Sequence, residues 1–355
     1  MIGWNDIAHL QTLGRPLLGV DLGELDGRGR TIDTLVASQV SWRGARLQGC
    51  RLKNVTFVDC DLRGADFSEA VLEACSFTRC KLDASRWDKA SLEQTALTLS
   101  SLQGSRWQGG RVVMSAFTQT DLRGADLSGI TLHRAVLAQS QTEGANFERA
   151  VLDQAVLPDV DFRSLRVAGL VAHNAVLREA RFDGMDLSQV IFQRCLLEGA
   201  SFVEVDLHGV DLRESNCRKA SFVRSNLRGA DLSRALFLEA TWTDVDAQSA
   251  TCENSLFQSA TLERVRLDRA KATGSIWDHA TMRQVALPNA DLSYAHFDHA
   301  TGEGIDLRHA GLQHSSMHNT RFITADLSGA ARHRLRGTSM ARLAAESRSL
   351  SLEMH

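Results

Sequence analysis

Large apolar residues recur at every fifth position over most of this chain. From Trp42 to Leu327 the series contains 58 sites, of which 28 hold Leu, 14 hold Phe and 5 hold Trp. A second series, which runs from Ala45 to Ala330 and precedes the large residues by two positions, holds Ala at 26 of its 58 sites. The other three positions carry most of the charged residues. A fixed period of this kind indicates a repeat architecture.

A period of five matches neither the 3.6-residue period of an amphipathic helix nor the two-residue period of a long strand. Residues two positions apart on an extended segment lie on the same face. Each repeat therefore points one small and one large apolar side chain inward. The next inward pair follows after three residues, which requires a corner in every repeat. Four corners close a coil of about 20 residues. Residues 41–330 therefore predict an all-β fold, a parallel solenoid of about 14 coils with a packed interior.

The 20-residue spacing also predicts columns of stacked side chains inside the solenoid. One such column is aromatic and consists of Phe162, Phe182, Phe202, Phe222 and Trp242. The seven cysteines all occupy inward positions, and no spacing among them is typical of a zinc knuckle. We expect them to be small buried apolar residues in a reducing compartment, without disulfide bonds.

The repeats resemble those of the pentapeptide repeat family, whose consensus is A-(D/N)-L-x-x. Six copies match it closely: Ala65-Asp66-Phe67, Ala125-Asp126-Leu127, Ala145-Asn146-Phe147, Ala230-Asp231-Leu232, Ala290-Asp291-Leu292 and Ala325-Asp326-Leu327. The resemblance covers residues 41–330 without an insertion or deletion, and it implies a right-handed quadrilateral β-helix. One position departs from the consensus, since Asp or Asn fills only 16 of the 58 middle sites.

Both ends of the chain break the pattern and are predicted to cap the solenoid with short helices. Residues 1–40 are expected to form a capping helix, begun by Asn5 or Asp6, followed by degenerate first coils. Residues 331–355 are expected to form an Arg-rich cap or tail. This tail is either a solvated cap or a segment for dimerisation or docking, and the sequence leaves both interpretations open.

Charge and composition restrict the possible partners and the compartment. The chain carries 40 Lys and Arg against 43 Asp and Glu, so no global positive field attracts nucleic acid or acidic lipid. We expect no direct nucleic-acid binding and no membrane span, because no apolar run approaches the required length. The first residues lack the pattern of a signal peptide, which predicts a cytoplasmic protein with signal-independent secretion left open.

The sequence contains no recognisable catalytic motif, and an uninterrupted solenoid offers no concave site that excludes water. We therefore expect neither enzymatic activity nor a cofactor. Stacking places Asp278, Asp298 and His318 in one outer column, with His279 and His299 in the adjacent one. Imidazoles and carboxylates about 5 Å apart are weak candidates for a divalent metal site, and a solvated corner is the simpler interpretation.

One outer column is apolar where polar residues are expected, and we call it the apolar stripe. Its large members are Val136, Val156, Val176, Leu196, Leu236, Leu256 and Ile276, preceded by Ala96 and Ala116 and interrupted by Asn216. Two explanations remain open. The stripe reflects either the strand propensity of a flat wall or a buried face, which would be a lateral dimer seam or a docking site for a partner protein.

A second outer column carries hydroxyl groups, and we call it the hydroxyl ladder. It consists of Ser201, Ser221, Thr241, Thr261, Thr281 and Thr301. An ice-binding surface needs two matched flat columns, whereas the column two residues further on mixes Val, Thr, Glu and Arg. We interpret the ladder as cross-strand stacking that stabilises the wall.

These features predict a non-enzymatic scaffold that binds another protein, or a second copy of itself, through the apolar stripe. The family resemblance implies two more specific roles: an adaptor or effector of a bacterial type VI secretion system, or a DNA-mimicking regulator of DNA gyrase. DNA mimicry requires a continuous acidic surface, but residues 41–330 carry 32 Lys and Arg against 36 Asp and Glu. The scaffold is therefore the favoured interpretation.

Overall fold

The backbone forms parallel ladders in which each residue pairs with the residue 20 positions away. The computed structural model describes residues 3–158 and 160–352 and divides into two compact units, Met1–Ala180 and Arg181–His355. Thr131 pairs with Val151 in unit 1, and Ser201 pairs with Ser221 in unit 2. Each unit is a parallel β-solenoid with 20-residue coils, which confirms the fold predicted from the five-residue period.

Unit 1 begins with a helix and continues as short strands. Its elements are α1 (Trp4–Thr12), β1 (Leu17–Leu18), β2 (Thr31–Ser38), β3 (Arg51–Val58), β4 (Val71–Glu73), β5 (Ser76–Thr78), β6 (Ser91–Glu93), β7 (Ala96–Thr98), β8 (Arg111–Val113), β9 (Ala116–Thr118), β10 (Thr131–His133), β11 (Val136–Ala138), β12 (Val151–Asp153), a 3₁₀ turn (Phe162–Ser164) and β13 (Val171–His173). The strands follow the order β11-β9-β7-β5-β3-β4-β6-β8-β10-β12-β13, and β2 pairs with β1 and β3. Isolated bridges, such as Ser41 to Asp61 and Arg46 to Asp66, form the two remaining walls.

Unit 2 concentrates its strands on one wall and ends with a helix. Its elements are β14 (Ile191–Gln193), β15 (Ser201–Val203), β16 (Ser221–Val223), β17 (Thr241–Thr243), β18 (Thr261–Glu263), β19 (Thr281–Arg283), β20 (Thr301–Glu303), β21 (Arg321–Ile323) and α2 (Met340–Leu352). Strands β15 to β21 pair in chain order, and isolated bridges form the neighbouring walls. The hydroxyl ladder forms the first residues of β15 to β20.

The inward positions form a close-packed core in both units. Nearly every large inward side chain between residues 42 and 312 is less than 3% exposed, and the seven cysteines are also buried. In unit 2 the rings of Phe182, Phe202 and Phe222 stack at centroid distances of 5.0 and 4.7 Å, as predicted, while Trp242 is tilted by 43° against Phe222. Burial also raises the pKa of the Cys75 thiol to about 11, so this thiol stays protonated.

The identity of the middle residue decides how each corner is made. Where Asp or Asn stands there, its carboxylate or amide oxygen accepts a hydrogen bond from the backbone N–H two residues later, as Asp211 does from Arg213 at 3.0 Å. This local bond closes a tight turn and competes with extended strand geometry. None of the described strands β4 to β21 begins with Asp or Asn, and their first residues are mostly Ser, Thr or Val.

The amino-terminal helix covers the first coil differently from the prediction. Gly3, and not Asn5 or Asp6, precedes the first helical residue, and the Asp6 carboxylate accepts a hydrogen bond from the Gly3 N–H at 2.8 Å. Asp6 therefore stabilises the first turn from inside the helix. The Trp4 indole occupies the space at Gly27, an inward position that lacks a large side chain, and its Nε1–H donates to the Asp26 carbonyl at 2.6 Å.

The carboxyl-terminal coils are less completely covered. Bridges from Gly311 to Ala331 and from Ser316 to Arg336 extend the coils beyond residue 330. The inward residues Met317, Phe322 and Leu327 are half-buried, whereas Leu307 and Leu312 before them are completely buried. The described residues of α2 thus leave this end of the core partly open to solvent.

The corner position two residues after each large apolar residue requires a positive φ. Gly64 lies there with φ +66°, and no atom lies within 4 Å of the point where a Cβ would stand. We expect Gly64→Val to lower the local free energy of unfolding by about 1–2 kcal/mol, because the left-handed conformation strains a β-branched residue. Native-state hydrogen exchange of residues 60–70 measures this change. Gly64→Asn is the control, and its local free energy of unfolding should fall by less than half as much as that of Gly64→Val. Equal decreases in the two variants would contradict the argument from backbone strain.

Candidate functional site

The apolar stripe of unit 1 is a continuous row of half-buried side chains. Val136 pairs with Val156, and Val156 pairs with Val176, so the three valines lie one above the other on one wall. Each is of intermediate exposure, as are Ala138 and Pro158 beside them. Each side chain is thus partly packed against the wall and exposes the rest of its apolar surface to solvent.

A groove of about 430 Å³ lies beside this stripe and was not predicted from the sequence. Its lining residues are Leu137, Ala138, Gln139, Ser140, Thr142, Glu143, Pro158, Val160 and Asp161. Thr142 occupies a large inward position, whereas Leu165 occupies a small one, and both are about 6% exposed. Thr142 lines the groove, and its side chain is smaller than the apolar residue that fills this position in most repeats. The smaller residue is visible in the sequence, and it is the signal that would have located the groove.

The apolar stripe of unit 2 has the same register but is interrupted once. Leu236 pairs with Leu256, and Leu256 pairs with Ile276, and all three side chains are of intermediate exposure. Asn216 lies between Leu196 and Leu236, where its side-chain oxygen accepts a hydrogen bond from the Arg218 N–H at 3.0 Å. Its polar side chain therefore stabilises the turn of its own repeat.

The acidic and histidine residues proposed as a metal site do lie together near the end of unit 2. Asp278 accepts a hydrogen bond from the backbone N–H of Asp298 at 2.9 Å, and Asp298 accepts one from the backbone N–H of His318 at 3.0 Å. The rings of His279 and His299 stack in the next column at a centroid distance of 4.8 Å. The 20-residue stacking therefore placed all five residues correctly.

Helix α2 adds two charged side chains that sequence reasoning missed. Arg342 donates to Asp298 at 2.6 Å and to Glu346 at 2.8 Å, and the other Glu346 oxygen lies 3.2 Å from Nε2 of His318. Ser339 begins the helix by accepting from the Arg342 N–H at 3.3 Å. The signal in the sequence was this helix start followed by Arg and Glu four residues apart, which lie on one helix face.

These contacts fix the charges of the two carboxylates. Burial opposes ionisation of Asp298, but hydrogen bonds from Ser316 and Arg342 hold the pKa of its carboxyl below the ordinary value. Burial likewise opposes ionisation of Glu346, and the contacts with His318 and Arg342 lower its pKa. By contrast, burial and the nearby Asp298 charge raise the pKa of Asp278. The corner therefore holds two stable negative charges beside one arginine.

Four of the five candidate residues belong to two sets of converging ligand atoms, and each set gains one residue that was not a candidate. One set is Asp278, His296 and Asp298, and the other is His299, His318 and Glu346. Among the described residues, His279 joins neither set and contributes only its stacked ring.

Comparison with known proteins identifies the repeats. A family model described as "Pentapeptide repeat region" matches residues 38–107, and a model of "Pentapeptide repeats (8 copies)" matches segments that together span 115–264 and 266–301. The chain belongs to the pentapeptide repeat family. No curated protein significantly matches the sequence of this pentapeptide repeat protein. No described helix of it has the length and apolar character needed to cross a bilayer.

Solved structures similar to this pentapeptide repeat protein include several solenoids. Full-length QnrB1, a plasmid-mediated fluoroquinolone resistance protein, is 21% identical, and the match covers 56% of this chain and 92% of QnrB1 with a TM-score of 0.33. HetL, involved in heterocyst differentiation regulation in the cyanobacterium Nostoc sp. strain PCC 7120, is 17% identical with 95% of each chain covered and a TM-score of 0.17. The periplasmic alginate epimerase AlgG is 7% identical, covering 95% of this chain and 82% of AlgG, with a TM-score of 0.26.

Removing the Arg342 contact tests how α2 is held. We expect Arg342→Gln or Asp298→Asn to speed amide exchange in α2 about tenfold. This increase is smaller than a fully buried charge-assisted hydrogen bond would give, because the arginine is half-exposed and solvent screens its charge. The effect should be full above about pH 4 and should vanish as acid protonates Asp298, because only the carboxylate holds the arginine.

Hydrogen exchange with mass spectrometry measures this loss. Asp326→Asn is the matched control, since Asp326 contacts Arg308 at 3.8 Å and not α2. If amide exchange in α2 stays at the wild-type rate in Arg342→Gln and in Asp298→Asn, the ion pair does not hold the helix.

Proposed function

We propose that this protein is a non-enzymatic interaction scaffold and that the apolar stripe is its binding face. The observation that carries the proposal is the column of half-buried Val, Leu and Ile side chains, interrupted only by Asn216 between residues 136 and 276, in a position that is otherwise polar. Burying such a column against another surface removes apolar area from water, at about 25 cal/mol per Å². A partner with a flat apolar face therefore gains affinity along the whole length of the stripe in each unit.

Strand propensity alone does not account for the stripe. Leu236, Leu256 and Ile276 lie in isolated bridges and not in the strands of unit 2. Leucine also favours strands less than the β-branched residues that fill the hydroxyl ladder. Selection for an extended wall would have placed Val, Ile or Thr at these positions, so the leucines are better explained by contact with a partner.

The groove beside the stripe supports the same function in unit 1. It adjoins Val136 and Val156 through Ala138 and Pro158, and Glu143 and Asp161 line its far side. A partner segment that rests on the valines therefore finds an adjoining concavity with polar groups, which supplies orientation in addition to apolar contact. The adaptor role in bacterial type VI secretion implied by the family resemblance is one use of such a scaffold.

Regulation of gyrase by DNA mimicry is the weaker alternative. Many outer carboxylates are paired with an arginine two residues later: Asp61 with Arg63 at 2.5 Å, Asp121 with Arg123 and Asp211 with Arg213 at 2.6 Å. These pairs neutralise the walls, where a DNA mimic requires a continuous row of unpaired negative charge. We expect micromolar protein to leave gyrase supercoiling unchanged, and inhibition or protection at that concentration would favour mimicry.

Charged substitutions in the stripe test the scaffold function. We expect the double variants Val156→Asp with Val176→Asp, and Leu236→Asp with Leu256→Asp, to weaken binding at least tenfold, because each buries two carboxylates in an apolar contact. Sedimentation analysis measures self-association, and pulldown followed by titration with the purified partner measures binding to another protein.

The matched control is Thr241→Asp with Thr261→Asp, which adds the same charge to the exposed hydroxyl ladder of unit 2. Circular dichroism should show that all variants keep the β-solenoid. If the stripe variants assemble and bind like wild type, or the ladder control loses as much affinity, the stripe is not the binding face.

A further inference from the structure

Three side chains near the end of unit 2 converge on one point. The Glu346 Oε2 atom lies 3.2 Å from Nε2 of His318 and 3.3 Å from Nε2 of His299. All three ligand atoms lie within 4.8 Å of one another. His299 and His318 come from successive coils, whereas Glu346 comes from α2. We propose that these residues form a zinc site, with water as the fourth ligand, that fastens α2 to the coils.

The two distances from Glu346 to the histidines suit a tetrahedral ion. Two ligand atoms that each lie about 2.0–2.1 Å from zinc are about 3.3–3.4 Å apart when the site is tetrahedral. Both measured distances to Glu346 agree with this edge length within about 0.2 Å. Two imidazoles and one carboxylate also form a ligand set that zinc binds in proteins with a water in the open position.

The neighbouring groups hold the three side chains in place. His318 is only 2% exposed, which restricts its ring. Arg342 binds the Glu346 Oε1 atom at 2.8 Å and leaves Oε2 directed at the histidines. The amide nitrogen of Asn319 lies 3.0 Å from Nδ1 of His299. When zinc occupies Nε2, Nδ1 carries the ring proton, and the amide turns over so that its oxygen accepts the hydrogen bond from Nδ1. Such outer contacts orient the ligands of a metal site.

Without an ion, protons occupy the same positions. The Ser339 N–H donates to Nδ1 of His318 at 3.1 Å, so the neutral His318 ring carries its proton on Nε2 and donates it to Glu346. Zinc takes the place of this proton, which moves to Nδ1 and displaces the Ser339 bond. The free energy of binding a structural zinc ion exceeds the cost of losing one such hydrogen bond.

The second set of ligand atoms is unsuitable for a cation. Both oxygens of Asp298 are already engaged, one by Ser316 and the His318 backbone and the other by Arg342 at 2.6 Å. The Arg342 guanidinium repels a positive ion at this position. The zinc proposal is therefore restricted to His299, His318 and Glu346, and it is independent of the apolar stripe.

Zinc titration of the untagged full-length chain tests the proposal. After treatment with a chelator, we expect calorimetry to show one zinc ion per chain at micromolar affinity or tighter. His299→Gln and Glu346→Gln should each weaken binding by about 100-fold, because each removes a ligand. Added zinc should also slow amide exchange in α2 of the wild type but not in α2 of the Glu346→Gln variant. A substitution that only loosened the helix would leave this response to zinc in place.

The matched control is His279→Gln, which removes a stacked imidazole next to His299 but no ligand. Cobalt provides a spectroscopic check, since four-coordinate cobalt bound to nitrogen and oxygen has intense visible bands without thiolate charge transfer. Absence of stoichiometric zinc binding to the folded wild type, equal weakening in His279→Gln, or a thiolate band from the buried cysteines would each overturn the proposal.

Discussion

Every coil of this protein depends on one constraint, which is that two inward side chains per repeat must fill the space inside coils stacked one strand spacing apart. A large residue and a small residue two positions before it meet this requirement, and stacked rings such as Phe202 on Phe222 at 4.7 Å transmit it from coil to coil. Because the inward positions carry the packing, the three outward positions of each repeat are free to vary. Outward residues can therefore change without disturbing the core, which explains how an apolar stripe and paired aspartates and arginines such as Asp211 and Arg213 occur in the same repeat architecture.

The same constraint explains why the fold could be predicted from the sequence. The period and the coil length follow from short-range spacing, and the register of 20 then determines which residues are neighbours, including the aromatic column from Phe182 to Trp242. The ends follow no such rule. Gly27 is inward but lacks a side chain, and only the three-dimensional position of Trp4 shows that its indole fills the gap. The start of α1 directly after Gly3 was missed for a related reason. An acidic residue can stabilise a helix either from the position before its first turn or from within that turn, and the sequence does not distinguish the two.

The positions of the candidate residues could be predicted only where the repeat determines them. The register placed the valines of the stripe and the five acidic and histidine residues, because all of them belong to the repeat. The groove beside Pro158 was missed, since it depends on the volume that a small side chain such as Thr142 leaves at a large inward position. Periodicity records which positions face inward, but it does not record whether the side chains there fill the space. Volume has to be compared between coils before such a defect becomes visible.

The carboxyl-terminal corner shows why unusual chemistry collects where a repeat ends. Within the coils a wall residue contacts close neighbours in its own repeat and residues about 20 positions away in the next coil, so its contacts are limited to the repeat. Once the chain leaves the solenoid, a helix can return side chains from outside this register. His318 occupies an outward position yet is 2% exposed, and its polar edge faces Ser339 and Glu346 of the returning segment. Its burial is therefore a consequence of the helix and not of the repeat. A buried imidazole needs polar partners, and the segment that covers His318 also supplies them, so the ligand geometry and the docking of the helix depend on the same few contacts.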